Sequence, residues 1–145
     1  MSLLDNPIDP APGWQRSHLD NYLRTDGQDG HIWMGAPTLL LTVRDLRTGR
    51  GRRTPLIYGR DGDRFMVVAS AGGRPEHPLW YRCLDADPEV QVQLFGDVFP
   101  ARAYTATGEE RERLWRTMNE IWKDYDSYQT KTDRQIPVVV IEPQK

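Results

Sequence analysis

Six short runs of apolar and β-branched residues constrain the fold of this chain more than any other feature. They cover residues 38–43, 54–58, 65–70, 90–95, 98–105 and 137–141. Asp61-Gly62-Asp63 and Gly96-Asp97 are tight-turn sequences, so we expect hairpins over residues 54–70 and 90–105. Strands and helices do not alternate regularly, which argues against a doubly wound parallel sheet. The pattern predicts an α+β protein with an antiparallel sheet or small barrel of about six strands and peripheral helices.

Helical spacing of apolar residues appears in three places. It predicts a short amphipathic helix over 13–24, a second over 77–84, and a third that begins at Thr107 and runs to about Trp122. Thr107 and Glu110 have the spacing of a capping box, and residues 125–132 form a further helical turn. We therefore expect an N-terminal arm and short helix over 1–30, and the barrel over 31–145, in a single domain overall.

Composition excludes several classes of protein. No run approaches the ~20 apolar residues of a transmembrane helix, and residues 1–12 lack the basic and apolar regions of a signal peptide, so we expect a cytoplasmic protein. One cysteine, Cys83, and three unspaced histidines argue against a metal site. No nucleophile motif or phosphate-binding loop is present. An enzyme of this kind would need a cofactor for its reactivity.

Residues 44–53, read RDLRTGRGRR, form a strongly basic connector, here called the Arg-rich hairpin. It carries five Arg and one Asp, a local charge of +4 in a chain of net charge −2. Of the 19 basic residues in the chain 16 are Arg, which codon bias alone can produce. Guanidinium groups bind phosphate and carboxylate in bidentate fashion, so an anionic ligand is one interpretation and a solvated hairpin is another. Nucleic acid is disfavoured because the rest of the chain is acidic.

Three further segments carry candidate ligand contacts. Ser70 and Ala71 lead a predicted strand into Gly72 and Gly73, a turn whose backbone amides can bind an anion. Trp80 and Tyr81 follow on a short helix and are able to border a flat ring system. Trp122, Tyr125 and Tyr128 are spaced by three and share one helical face, where hydroxyl groups could donate to a substrate. Each segment has a purely structural alternative, a simple turn or core packing.

In this order and at these spacings, the segments resemble the deazaflavin-dependent nitroreductase family. This family comprises actinobacterial quinone and nitro reductases that use reduced coenzyme F-420. The resemblance runs from about Gly35 to Pro143. It is carried by LLLT at 39–42, RRTPLIY at 52–58, RDGD at 60–63, FMVVAS at 65–70, the two glycines, HPLWY at 77–81, TGEERERLW at 107–115, and the segment 125–143.

The resemblance implies a split β-barrel of the FMN-binding type that holds a deazaflavin in a groove, with the anionic cofactor tail on the Arg-rich hairpin. It also implies hydride transfer to quinones, activated alkenes or nitroaromatics. Tyr125 would be the proton donor, and Tyr128, with Trp122, would wall the substrate pocket. The implied cofactor contacts are Leu46, Arg47, Thr48, Arg52, Arg53, Thr54, Pro55, Leu56, Ile57, Val68, Ala69, Ser70, Ala71, Leu79, Trp80, Tyr81, Arg82 and Cys83.

The chain departs from the family pattern at a few of these positions. Asp45 adds a negative charge on the expected path of the tail, Leu46 replaces an Arg, and Ala71 stands where many relatives carry Lys. Arg50 and Arg53 are candidates to compensate. Because fewer cations suit a shorter anionic tail, FMN is the alternative cofactor, and a non-enzymatic cofactor carrier or interaction module is the third hypothesis.

The N-terminal helix admits two interpretations. Trp14, Leu19, Tyr22 and Leu23 would either cover the active site as a lid or touch a membrane surface. His18 and Asp20 dilute the apolar face, which favours the lid. Membrane-peripheral contact and the choice between monomer and homodimer stay open at the sequence level.

Overall fold

A computed structural model describes residues 2–144. Within that part of the chain there are eight strands and four helices. The strands are β1 (Ile32–Trp33), β2 (Ala36–Arg44), β3 (Gly51–Ile57), β4 (Gly59–Asp61), β5 (Arg64–Val68), β6 (Glu89–Leu94), β7 (Asp97–Thr105) and β8 (Val138–Pro143). The helices are α1 (Trp14–Arg24), α2 (Leu79–Ala86), α3 (Gly108–Ile121) and α4 (Asp124–Thr130), with a 3-10 turn at Ala71–Gly73.

The strands form one curled antiparallel sheet. Its order is β1-β2-β6-β7-β8-β5-β4, with β3 paired to β2. Among the described strands no ladder joins β3 to β5, although the two lie close together, and the barrel is split there. The expected α+β split-barrel fold is confirmed. The expected six strands are eight in the structure, because β1 and β4 are too short to stand out as periodic runs.

The hairpin expected over 54–70 is wrong. Strand β3 pairs with the preceding strand β2, with Leu41 opposite Thr54, and the second hairpin is β4–β5 around Gly62. The Arg-rich segment is itself the tight connection, since Gly49 N–H donates to the Asp45 carbonyl over 3.0 Å. Strand β3 therefore begins at Gly51, and Arg52 and Arg53 are strand residues rather than loop residues.

Burial on both faces explains why the strongest strands are continuous apolar runs. Leu39 and Leu41 of β2 point into the barrel interior, whereas Leu40 points outward and is covered by α1. Val139 and Ile141 of β8 point inward in the same way. Val138 and Val140 face α3 and α4 on the outside, where they meet Leu114 and Met118. Because both faces are covered, successive residues of these strands are apolar over residues 39–41 and 138–141.

The N-terminal residues pack on the barrel. Leu19 and Tyr22 of α1 are fully buried against Leu40, and the Tyr22 hydroxyl donates to the Thr38 carbonyl over 3.3 Å. Ahead of α1, Ile8 makes a parallel bridge to Arg52 of β3. The arm and α1 thus lie beside β2 and β3, the strands that carry much of the expected cofactor site.

Two expectations about helix ends differ from the structure. Helix α2 begins at Leu79 rather than at His77, because a residue that precedes proline is disfavoured in helical conformation. The capping box at the start of α3 does not form: Glu110 instead accepts a hydrogen bond from the Tyr104 hydroxyl at 3.1 Å. In the part of the chain that is described, no helix has the length and apolar character to span a bilayer.

Candidate functional site

A cavity of about 820 Å³ opens at the split of the barrel. Strand β3 forms one wall, the end of β5 and the following turn form the floor, and α1, α2 and α4 close the sides. The residues that line it are Trp14, Gln15, His18, Trp33, Thr38, Thr54, Pro55, Leu56, Ile57, Val68, Ser70, Ala71, Gly72, Arg74, Pro78, Leu79, Trp80, Trp122, Tyr125 and Tyr128. The volume lies within the range typical of small-molecule sites.

Residues 70–74 form the floor of the cavity and are called the cradle turn. Ala71 and Gly72 have φ values of 47° and 64°, so the backbone turns with two successive left-handed residues. The carbonyls of Ser70 and Ala71 accept from the N–H groups of Gly73 and Arg74. The N–H groups of Ala71 and Gly72 have no acceptor among residues 2–144. Free amides that line a cavity are suited to an anion or a ligand carbonyl.

The tyrosine wall is defined as Tyr125 and Tyr128 of α4 together with Trp122, which directly follows the end of α3. The expected single helical face is wrong for Trp122, because its backbone is extended and interrupts the helical spacing. Tyr125 is only 4% exposed, and its ring packs edge-on against Tyr128 with 6.2 Å between centroids. Burial, and secondly the nearby Tyr128, raise the pKa of the Tyr125 phenol well above its usual range. No residue in 2–144 hydrogen-bonds the Tyr125 hydroxyl, whereas the Tyr128 hydroxyl accepts from Trp122 Nε1 over 3.4 Å. Tyr125 is therefore a protonated donor whose partner would come from the cavity.

An aromatic stack closes the side of the cavity next to α1. Trp33 lies parallel to both Trp14 and His18, with ring centroids 5.1 and 4.8 Å away. Trp14 is 60% exposed, and His18 is held from below by the Gly30 carbonyl at 2.7 Å. The helix thus contributes an aromatic wall, which agrees with a lid position over the site.

Most arginines of the Arg-rich hairpin already have partners. Arg53 forms a bidentate pair with Asp9 of the arm, with both N–O distances under 3 Å, and Arg50 donates to the Asn6 carbonyl at 2.8 Å. Arg44 pairs with Asp87 at 3.1 Å. These contacts join residues far apart in sequence, so the sequence alone did not indicate that Asp9 and Asp87 lower the net charge around the hairpin.

Asp45 neutralises a further arginine of the hairpin. Its carboxylate accepts from Arg52 Nε at 2.9 Å and from the N–H and hydroxyl of Thr48. Burial by itself would raise the pKa of Asp45, but these hydrogen bonds hold it at about 2. Within residues 2–144, Arg47 and Arg50 of the hairpin and Arg74 of the cradle turn make no ion pair, although Arg50 donates to the Asn6 carbonyl.

The structure brings together about half of the implied site residues. Those that line the cavity are Thr54, Pro55, Leu56, Ile57, Val68, Ser70, Ala71, Leu79, Trp80, Tyr125 and Tyr128. The hairpin residues Leu46, Arg47 and Thr48, the paired Arg52 and Arg53, and exposed Arg82 lie outside the lining. Ala69, Tyr81 and Cys83 are buried in the barrel core. A role for these residues in cofactor binding stays a prediction.

Several residues that line the cavity were not predicted as site residues from the sequence. Trp33, Thr38 and Arg74 belong to no motif of their own. His18 had a signal, because the i, i+4 spacing of Trp14 and His18 puts both on one face of α1. Arg74 had a weaker one, since it directly follows the two glycines of the cradle turn.

The residues present fit an anionic cofactor with a flat ring. The cavity supplies free backbone amides at Ala71 and Gly72, the unpaired guanidinium of Arg74, and the half-buried face of Trp80. A ring system can lie against the apolar side chains of β3, while the amides and Arg74 receive negative charge.

The chain matches the family model described as F420H(2)-dependent quinone reductase over residues 14–143. It is 40% identical over 130 residues to an F420H(2)-dependent quinone reductase of Mycobacterium tuberculosis strain H37Rv, with 87% of each chain covered. A solved F420-H2 dependent reductase (FDR-A) is 41% identical with a TM-score of 0.68, covering 73% of this chain and 94% of that one. A second solved structure, described only as a domain-swapped dimer, is 38% identical with a TM-score of 0.71, covering 88% of this chain and 96% of that one. With its split barrel and its cavity between cradle turn and tyrosine wall, the chain belongs to the F420H(2)-dependent quinone reductase family.

Proposed function

We propose that this protein uses reduced coenzyme F-420 to reduce quinones. The observation that carries the proposal is the cavity itself, whose lining includes Ala71 and Gly72, with free backbone amides, and Tyr125, whose buried phenol has no hydrogen-bond partner among residues 2–144. Family membership supplies the cofactor and the acceptor class. Activated alkenes and nitroaromatics share the electrophilic character of quinones and belong in the same acceptor panel.

When bound, the reduced deazaflavin supplies a hydride from C5 of its ring. The chain's own residues do the rest. Leu56 and Ile57 of β3 and Trp80 of α2 would orient a flat ring, and the free amides of Ala71 and Gly72 would hold a polar or anionic group of the cofactor. Tyr125 keeps its proton at neutral pH and can donate it to an acceptor oxygen that becomes negative. The stack of Trp14, Trp33 and His18 limits access of water from the α1 side.

The direct test is oxidation of reduced F-420 by menadione, followed by the return of deazaflavin absorbance and fluorescence. We expect saturable binding of F-420 and turnover that depends on the protein. Absence of F-420 binding at tens of micromolar, about the weakest affinity expected for a working cofactor site, would reject the proposal. Arg52→Ala tests whether the anionic tail of the cofactor lies on the Arg-rich hairpin. If it does, this variant should weaken cofactor binding more than Tyr125→Phe does.

The two alternative functions are separated by simple measurements. The family is defined by F-420, so FMN is the less favoured cofactor. A protein purified with FMN and inactive with F-420 would reverse that order. A protein that binds F-420 but reduces no quinone, enone or nitroaromatic would be a carrier.

Assembly, partners and location follow as proposals. The relative described as a domain-swapped dimer supports a homodimer over a monomer, and light scattering would give twice the chain mass. Nucleic acid is not expected as a partner, because Arg50, Arg52 and Arg53 already have acceptors in the described chain; a salt-sensitive gel shift would contradict this. We propose a cytoplasmic location with at most peripheral membrane contact, to be tested by fractionation.

A further inference from the structure

Arg134 occupies an unusual position beneath the cavity floor. It lies between α4 and β8, does not line the cavity, and is half-buried. No carboxylate among residues 2–144 lies within 4 Å of its guanidinium, in contrast to most arginines of the chain. A guanidinium that gives up solvent without an acidic partner must be held by other acceptors.

The three carbonyl acceptors belong to the cradle turn and to Ala69, which directly precedes it. Arg134 Nη2 donates to the Ser70 carbonyl at 2.7 Å, Nε to the Arg74 carbonyl at 2.9 Å, and Nη1 to the Ala69 carbonyl at 3.2 Å. The guanidinium thus donates to three backbone carbonyls, and Arg134 itself does not line the cavity. The backbone is turned so that the amides between them, at Ala71 and Gly72, are left without protein acceptors.

His77 completes this arrangement. Arg134 Nη1 donates to His77 Nδ1 at 2.9 Å, and because arginine can only donate, that ring nitrogen must carry no proton. Burial, and then the charge of Arg134, lower the pKa of His77, which agrees with a neutral ring. His77 therefore joins the start of α2 to the same guanidinium.

Arg134 is also tied to the helix that carries the tyrosine wall. The side-chain amide of Gln129 in α4 donates to the Arg134 carbonyl at 2.8 Å and accepts from Ile136 N–H at 2.9 Å. On the other side, Gly73 approaches α4 so closely that a Cβ there would lie 2.5 Å from the Tyr128 carbonyl oxygen. The cradle turn and α4 are in direct contact, and Arg134 connects to both.

We propose that Arg134 is a positioning residue that fixes the cradle turn relative to the tyrosine wall, and so sets the spacing of the two sides of the active site. It touches neither cofactor nor acceptor. It acts by orienting the Ala71 and Gly72 amides toward the cavity and by holding that turn on α4. The expected effects on F-420 binding and turnover rest on the proposed function, whereas the expected effect on the order of the cradle turn and α4 does not.

The test compares Arg134→Lys with Arg102→Lys. Lysine keeps the positive charge but lacks the planar guanidinium, so it cannot donate to all three carbonyls in the same geometry. Arg102 is the matched control, since it is exposed on β7, pairs only with Glu89, and does not line the cavity. His77→Ala is a milder second variant that removes one acceptor and remains informative if Arg134→Lys fails to fold.

The first readout needs no cofactor. Hydrogen exchange followed by mass spectrometry, well below the lowest melting temperature, should show faster exchange of residues 70–74 and of α4 in Arg134→Lys, with the remaining barrel and the control protein unchanged. His77→Ala should show the same pattern more weakly. Exchange that is unchanged in these two segments, or faster throughout the barrel, would overturn the proposal.

The second readout uses cofactor and acceptor. Loss of charge-assisted hydrogen bonds to the turn should weaken F-420 binding by about tenfold in Arg134→Lys. With saturating cofactor, kcat for menadione should fall about tenfold. The KM for menadione should change less than about twofold, because the side chains of the tyrosine wall are unchanged. A variant with a lower Tm but unchanged Kd and kcat would show a merely structural role and refute the inference. If the wild-type protein fails to bind F-420, the proposed function falls, and the exchange experiment still decides the role of Arg134.

Discussion

Tyr125→Phe is the sharpest perturbation that the site offers. The substitution removes one oxygen from a side chain that is 4% exposed, and that oxygen hydrogen-bonds no residue in the described chain. The ring, with its edge-on contact to Tyr128 and its tilted contact to Trp115, stays in place. The change therefore separates proton donation from packing, which few active-site substitutions do.

The expected changes in kcat, stability and cofactor affinity follow from these contacts. A positioned general acid contributes about 10²- to 10⁴-fold, or about 2.7–5.5 kcal/mol of barrier, so kcat with menadione should fall by at least about a hundredfold. Stability should move little, within about 0.5 kcal/mol, because no protein hydrogen bond is lost and a buried polar atom is removed. F-420 affinity should stay within about threefold for the same reason.

The assay is stopped-flow oxidation of reduced F-420 by menadione, with thermal unfolding measured on the same samples. Tyr104→Phe is the control, since it makes the same chemical change outside the cavity. The Tyr104 hydroxyl donates to Glu110 at 3.1 Å and accepts from Arg64, so this variant should lose stability and keep kcat. A Tyr125→Phe protein that retains more than about half of the wild-type kcat would refute the assignment of the donor.

The pH dependence of the donor has a definite sign. Burial raises the pKa of Tyr125 above its ordinary value of 10, so the phenol stays protonated and kcat should show no alkaline loss from this group below about pH 10. Below pH 10 both folded and unfolded forms keep the proton. Above it the unfolded form ionises first, and the stability that this group contributes is lost as the pH rises.

Three further predictions concern the surroundings of the cavity. Asp45→Asn should lower the free energy of unfolding at neutral pH. The difference in unfolding free energy from wild type should shrink as the pH falls from 3.8 toward about 2, because the Asp45 carboxylate becomes protonated in the folded protein over that range. Urea titrations at several pH values measure this difference. Trp14→Ala should leave Tm within a few degrees of wild type, since the ring is 60% exposed. It should raise KM for menadione a few-fold, because the stack on Trp33 is lost. Equal KM values would contradict the role of α1 as a lid. Asp9→Asn should release Arg53 and tighten F-420 binding a few-fold at low salt if the tail lies on the hairpin, and unchanged affinity would place the tail elsewhere.

Local sequence determined the elements that depend on neighbours in the chain. The run at 38–43 had to be a strand buried on both faces, the Asp61-Gly62-Asp63 turn had to reverse the chain, and Tyr125 and Tyr128, three residues apart, had to share one face of a helix. These features follow from side-chain shape and backbone geometry over a few residues, so they can be read without tertiary knowledge.

Which groups of the site remain free depends on contacts between residues that are distant in the sequence. Arg53 meets Asp9 across 44 positions, Arg134 collects the carbonyls of the cradle turn from 60 or more positions away, and Trp33 reaches the cavity from a strand too short to carry a pattern. Three of the five hairpin arginines, which all looked available in the sequence, are paired with carboxylates in the fold. Charges and hydrogen bonds act through space, and folding sets those distances, so the sequence determines which residues can bind and the tertiary structure determines which of them still have a free donor to offer.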